Sequence, residues 1–247
     1  MAVQPDDTVW NIQGRTLKFP IWIRDASAAV AGFIVPTAPL SRLLDGSGLS
    51  PVSLAGSSLA SVILVDYHES PGNDLGSYAE LGLSLLVRGP DGRAAGYVHQ
   101  LPVSQDFTRE VGVALWGFPK WLAAFDLTIA GGTASCRLSR DGVPILTAAL
   151  QAWAFPRLGR VRGTVGCYTS HSGSLRFTTA NASAEGIRVR LGGGASVVPS
   201  GNHELADELR SLGFPRRALF TATAERITAE IFPATEIPRQ AAMAASA

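Results

Sequence analysis

Lysine is almost missing from this chain of 247 residues. Of its 21 basic residues 19 are arginine, leaving only Lys18 and Lys120 as amines. The Arg excess accompanies abundant Ala and Gly and reads first as a compositional bias, but it raises the question of why an amine persists at two positions. Cysteine is scarce too: Cys136 and Cys167 form neither a paired metal spacing nor a redox pair, which suits a reduced, cytoplasmic setting. Excess charge is lacking, with 21 cations against 20 acids, so there is no basic footprint for nucleic acid. Apolar runs break at Gly, Ser, Arg or Asp within a few positions, far too early for a membrane-spanning helix. Met1 to Asp7 has neither the basic nor the apolar region of a secretory leader. The expectation is a soluble cytoplasmic protein with no nucleic-acid or membrane partner. Also missing are a Gly-x-Ser-x-Gly elbow, a phosphate-binding glycine loop and a His-Glu-x-x-His motif. The histidines at 68, 99, 171 and 203 are scattered. Alternation places His68 and Asp66 on one strand face and Glu69 on the other, so no metal site is expected.

What is present is the texture of strands. Residues 121–153 read as a three-stranded meander turning at Gly131-Gly132 and Asp141-Gly142, two-residue loops whose tight hairpins need positive φ. Similar runs occur at 59–68, 76–88, 94–103, 187–191 and 218–232, with a turn at 89–92 and a glycine turn at 192–194. Short helices are predicted from Pro36 to Leu44, over 104–117, and from Glu204 to Leu212 with Asn202 as cap. The helix over 104–117 is weakened by Gly112 and its valines. These signals predict a mainly β, α+β chain: an antiparallel barrel or packed sheets with a few short helices, in one domain spanning 1–247. Its core lies at about 12–238, with a frayed tail over 239–247.

Lys120 stands in the sequence Leu115-Trp116-Gly117-Phe118-Pro119-Lys120-Trp121-Leu122, beside three large aromatics and a rigid proline. A lysine in water is neutral in only about one molecule in 2500 at pH 7 and is a poor nucleophile. Apolar surroundings disfavour the ammonium, and that is the environment in which lysine forms Schiff bases. The plainer alternative is a stem laid on the aromatics with its head in water.

Gly117-Phe118-Pro119-Lys120 resembles the active-site signature of the acetoacetate decarboxylase family. Four further features follow in the family's order: Gly14-Arg15, Val35-Pro36 to Leu44, His68 with Tyr78-Ala79-Glu80, and Gly213-Phe214-Pro215 leading into 218–237. The resemblance covers roughly 12–238. It implies that Lys120 is the imine-forming nucleophile, Glu80 a carboxylate that moves protons or orients substrate, and Arg15 the cation at the substrate carboxylate or at that glutamate. Trp116, Phe118, Trp121 and Tyr78 are the expected pocket walls. The partner implied is a small keto acid or related carbonyl compound, within a homo-oligomer. No metal or organic cofactor is implied.

The departures from the family pattern are as informative. Trp121 stands where the family has a second lysine, Gly112-Val113-Ala114 where it has Gly-Arg-Glu, and Ile63 at a further acidic position. Each makes the site more apolar, so the substrate is expected to be bulkier or less charged than acetoacetate. Three activities stay open: decarboxylation of a β-keto acid, aldolase, dehydratase or cyclase chemistry from the same imine, and non-catalytic binding of a hydrophobic small molecule.

Overall fold

The computed structural model describes residues 9–153 and 158–238; the expected tail over 239–247 lies outside the described residues. Seven strands close into a barrel: Ile21–Pro36, Ser57–Tyr67, Tyr78–Arg88, Ala94–Val103, Val161–His171, Ser174–Glu185 and Phe220–Ile231. They are neighbours in that order, and Phe220–Ile231 pairs both with Ser174–Glu185 and with Ile21–Pro36 to complete the circle. All pairings among them are antiparallel except that between Ala94–Val103 and Val161–His171. Closure leaves these strands no open edge.

A second sheet of four strands, Ala124–Ala130, Thr133–Arg140, Val143–Gln151 and Ala195–Pro199, lies against the barrel. Its hairpins are those expected from the sequence. Gly131 and Gly132 have φ of 61° and 89°, Asp141 and Gly142 of 52° and 77°, the doubly positive conformation that two-residue hairpins favour. The fourth strand is supplied from a distance: Ala195–Pro199 pairs with Val143–Gln151 after the chain has passed through two barrel strands.

Alternation assigns each barrel side chain to one of two interiors. Ala60, Val62 and Leu64, with Leu81, Leu83, Leu85 and Val87, pack outward against Ala134, Cys136, Leu138, Leu146 and Leu150 of the second sheet. The residues between them, Ile63 and Tyr67 on one strand and Tyr78, Glu80, Gly82 and Ser84 on the next, face the inside of the barrel. A second core gathers Ile12, Leu17, Ile21, Ile23, Leu75 and Tyr78 around the buried face of the helix Asp106–Trp116.

Among the described residues the three helices are α1 (Thr37–Leu43), α2 (Asp106–Trp116) and α3 (Glu204–Ser211). Helix α2 forms despite Gly112 because Phe107, Val111 and Leu115, four residues apart, bury one stripe. Asn202 is not the cap of α3; the cap is His203, whose ring accepts a hydrogen bond from the Leu205 amide at 3.2 Å. The strand starting at Lys120 is also distinct from the meander: Lys120–Leu122 pairs in parallel with Leu101–Val103 before Ala124–Ala130 begins.

Candidate active site

The lysine is positioned by the end of α2. Gly117, at φ 66°, turns the chain out of the helix, and the amides of Gly117 and Phe118 return to the carbonyls of Val113 and Gly112 at 3.0 and 3.1 Å. A side chain at Gly117 would meet His171 Cβ at 2.8 Å, so glycine is needed here for space as well as for φ. Lys120 then enters a strand opposite Leu101, pointing inward, while its neighbour Trp121 points outward. Its stem lies against α2 at Gly112, where an added Cβ would stand 2.5 Å from Lys120 Cδ.

Inward is a cavity of about 320 Å³ inside the barrel. Ile63, Leu75, Val98, Leu101, Trp116, Phe118 and Ile231 supply most of its wall, and Gly82, Gly96 and Gly166 leave room in it. Lys120 Nζ sits 2.8 Å from Glu80 Oε2, with only 4% of the lysine side chain and 11% of the glutamate exposed. The Nζ also lies 5.2 Å from the Tyr78 ring centroid and 5.9 Å from that of Phe118.

The other carboxylate oxygen is held as well. Tyr67 donates its hydroxyl to Glu80 Oε1 at 3.1 Å, and its ring stacks on that of Tyr78 with centroids 4.1 Å apart. Cross-strand register makes this possible, because Tyr67 is opposite Tyr78 while Val65 is opposite Glu80. Burial first, and neighbouring groups including the Glu80 charge after it, push both phenols well above the usual tyrosine range, which keeps them protonated donors. Tyr67 was not among the expected site residues; its sequence signal was its place just before His68, on a run facing the Tyr-x-Glu segment.

The structure therefore brings together Lys120, Glu80, Tyr78, Trp116 and Phe118, but not Arg15 or Trp121. Arg15 is an exposed residue on the short strand Arg15–Leu17; its guanidinium donates to the Asp74 carbonyl at 2.9 Å and stacks over Phe107 at 4.1 Å. It is not among the residues lining the cavity. Trp121 is placed on the opposite face by strand alternation, with Nε1 donating to Gln100 Oε1 at 2.9 Å and the ring stacked on His203. Lys18 is exposed. His68 stands outside the cavity between Asp25 and Asp66, at 3.4 and 3.8 Å. Among the described residues no cluster of three His, Cys, Asp or Glu could hold a metal. A larger concavity, about 690 Å³, lies at Trp22, Arg24, Arg162 and Arg226, but it is wide open and holds none of these buried reactive groups.

Cys167 also faces the cavity and Cys136 lies in the core of the second sheet. Burial raises both thiols to about 12, about three units above the ordinary thiol, so the reactive thiolate is roughly a thousandfold rarer than in an exposed cysteine. Iodoacetamide at pH 8 is therefore expected to leave both unmodified in the folded protein and to alkylate both in urea. Rapid native labelling of Cys167 would contradict this burial. The same shift has a linkage consequence: the unfolded thiols lose protons first, so stability falls as pH rises above about 9.

Barrel, appended sheet and inward lysine define an acetoacetate decarboxylase-like fold. The sequence profile of the acetoacetate decarboxylase (ADC) family matches residues 6–181, and the chain belongs to that family. No curated protein matches it significantly. Among solved structures, acetoacetate decarboxylase from Legionella pneumophila is 15% identical, with 91% of each chain covered and a TM-score of 0.64. The enduracididine biosynthesis enzyme MppR, complexed with pyruvate, is 15% identical over 90% of this chain and 92% of its own, with a TM-score of 0.64. An acetoacetate decarboxylase-like enzyme from Sphingomonas wittichii RW1 is 16% identical over 89% and 93%, with a TM-score of 0.58. These identities establish the fold. Membership of the family supports an enzyme of the Schiff-base lyase kind. No helix among the described residues is long and apolar enough to cross a membrane.

Proposed function

We propose that the protein is a Schiff-base-forming lyase that acts on a keto substrate through an imine at Lys120. The observation that carries this reading is a lysine amine almost wholly removed from water, facing a cavity, and 2.8 Å from a carboxylate. Glu80 accepts a proton from the ammonium; the freed amine attacks the carbonyl carbon, and the carbinolamine loses water to give the iminium. Glu80 is held for this by Tyr67. The iminium accepts the electron pair of a bond broken at the adjacent carbon, forming an enamine. With a β-keto acid that bond is the one to the carboxylate, CO₂ leaves, Glu80 returns a proton to carbon, and water releases the ketone.

A second reading keeps the imine and changes what the enamine does, giving aldolase, dehydratase or cyclase chemistry. It is favoured by the cavity's apolar wall and by Arg15 standing outside it. A structural neighbour with a TM-score of 0.57, again MppR, is complexed with the condensation product of pyruvate and imidazole 4-carboxaldehyde. Both readings take residues 12–238 as one catalytic unit, in a cytoplasmic homo-oligomer.

Trapping decides whether the imine exists. The protein is incubated with pyruvate, acetoacetate or a methyl ketone, reduced with borohydride, and mapped by peptide mass spectrometry. At least one carbonyl compound is expected to add its reduced mass to the peptide bearing Lys120. No adduct with any of the three leaves non-catalytic binding of a hydrophobic molecule as the surviving reading.

A further inference from the structure

We infer that the substrate is a neutral, largely apolar ketone or aldehyde without a carboxylate, and that the enamine arises by removal of an α-proton by Glu80 rather than by loss of CO₂. This rests on the imine reading and specifies the substrate for it.

The argument is one of charge. Among the described residues lining the cavity the charged ones are Lys120 and Glu80, and they face each other at 2.8 Å. Their charges cancel, and they still cancel when the ammonium becomes an iminium. A neutral ketone leaves that balance intact through every step. A substrate carboxylate would add an uncompensated negative charge beside an existing one, inside a wall that is mostly apolar, with Ile63, Val98, Leu101, Phe118 and Ile231 in it. Buried charges without a partner are strongly disfavoured, and two carboxylates sharing a site repel. The arginine that could answer a substrate carboxylate, Arg15, is engaged outside with the Asp74 carbonyl and the Phe107 ring.

The wall also suits an extended hydrocarbon. Gly82 and Gly96 lie on neighbouring, paired strands, and Ser84, opposite Val98, is the one aliphatic hydroxyl among the described residues of the lining. Proton removal has its base in place: Glu80 Oε2 already contacts the nitrogen that becomes the iminium, and both α-carbons stand two bonds from that nitrogen. The step balances without an added reagent. The α C–H bond breaks to Glu80, its electron pair forms the enamine C=C, and the iminium nitrogen takes the π pair. The enamine carbon then regains a proton or attacks a second carbonyl carbon.

The test uses the intact protein and matched probes. Half-saturation of borohydride trapping is measured for 2-heptanone and for 2-oxoheptanoate, the same chain length with a carboxylate. The α-keto acid has the more electrophilic carbonyl, so intrinsic reactivity works against the expected result. At least a tenfold lower half-saturating concentration is expected for 2-heptanone. In D₂O the α-hydrogens of 2-heptanone should exchange with a rate that falls at least a hundredfold in Glu80→Gln, with circular dichroism confirming its fold. CO₂ release from 3-oxooctanoate should stay at the uncatalysed rate. Equal or tighter trapping of 2-oxoheptanoate, or catalysed CO₂ release from 3-oxooctanoate, overturns the neutral-substrate inference while the imine stands. Failure of both probes to trap at Lys120 overturns the imine reading itself.

Discussion

Lys120→Met is expected to lose turnover by at least about a thousandfold while binding carbonyl compounds reversibly, because methionine fills the lysine's space without a nucleophile. The stability of the variant is the more searching measurement. Its substitution leaves Glu80, 11% exposed, facing the cavity with its cation gone. Breaking a buried pair from one side costs about 3–5 kcal/mol, chiefly through the charge left behind. Glu80→Gln alone is expected to be destabilised on the same scale for the complementary reason. The double variant, Lys120→Met with Glu80→Gln, should recover most of that loss, since Gln can still accept the Tyr67 hydroxyl at 3.1 Å. Urea unfolding of the four proteins gives the coupling directly. Additive losses would mean that the two groups do not interact as their contact in the structure requires.

Gly112→Ala is the second large effect, and it separates structure from chemistry. In a helix interior alanine is favoured over glycine by about 1 kcal/mol, so propensity alone makes this a stabilising change. Here the new methyl would lie 2.5 Å from Lys120 Cδ and 2.7 Å from Cε, distances that cannot persist. The helix is held by Phe107, Val111, Leu115 and Trp116, so the lysine stem is the part that gives way. A displacement of about 1 Å at a reacting group can cost about 10²-fold, and imine trapping is expected to fall by that order. Circular dichroism and the unfolding midpoint should change little. Undiminished trapping in a folded Gly112→Ala would show that the amine does not need to lie against α2.

Gly112 also illustrates how the sequence misleads locally. By propensity it weakens the helix over 104–117, yet it is the residue that gives Lys120 its path into the barrel. Its value depends on a contact with a side chain of the following strand, which no local pattern records. The same holds for Trp121. It adjoins Lys120 in an aromatic run and reads as a pocket wall, but strand period sends neighbours to opposite faces, and it stacks on His203 instead. Arg15 matches a family position, and the structure engages it with Asp74 and Phe107.

The strands that could be read were the meander, 59–68, 76–88, 94–103, 187–191 and 218–232, where apolar alternation or glycine turns mark them. Those that could not were Val161–His171 and Ser174–Glu185, rich in Thr, Ser, Gly and Ala, and the long strand Ile21–Pro36, whose alanines and glycine blur any contrast between faces. They become strands because each is paired on both sides in a closed barrel, where backbone hydrogen bonds supply what side-chain pattern does not.

By itself the sequence determined a mainly β chain, its tight hairpins, and a lysine retained at Lys120 where arginine is the rule elsewhere, since a guanidinium stays protonated and forms no imine. Only the tertiary structure decided which charges meet. Glu80 and Tyr67 belong to strands well before Lys120 in the chain, yet the lateral pairing of four neighbouring strands brings both carboxylate contacts together. Arg15 stays outside the cavity wall because its strand belongs to a separate two-stranded sheet, Trp10–Ile12 with Arg15–Leu17, and its guanidinium is engaged by the Asp74 carbonyl and the Phe107 ring.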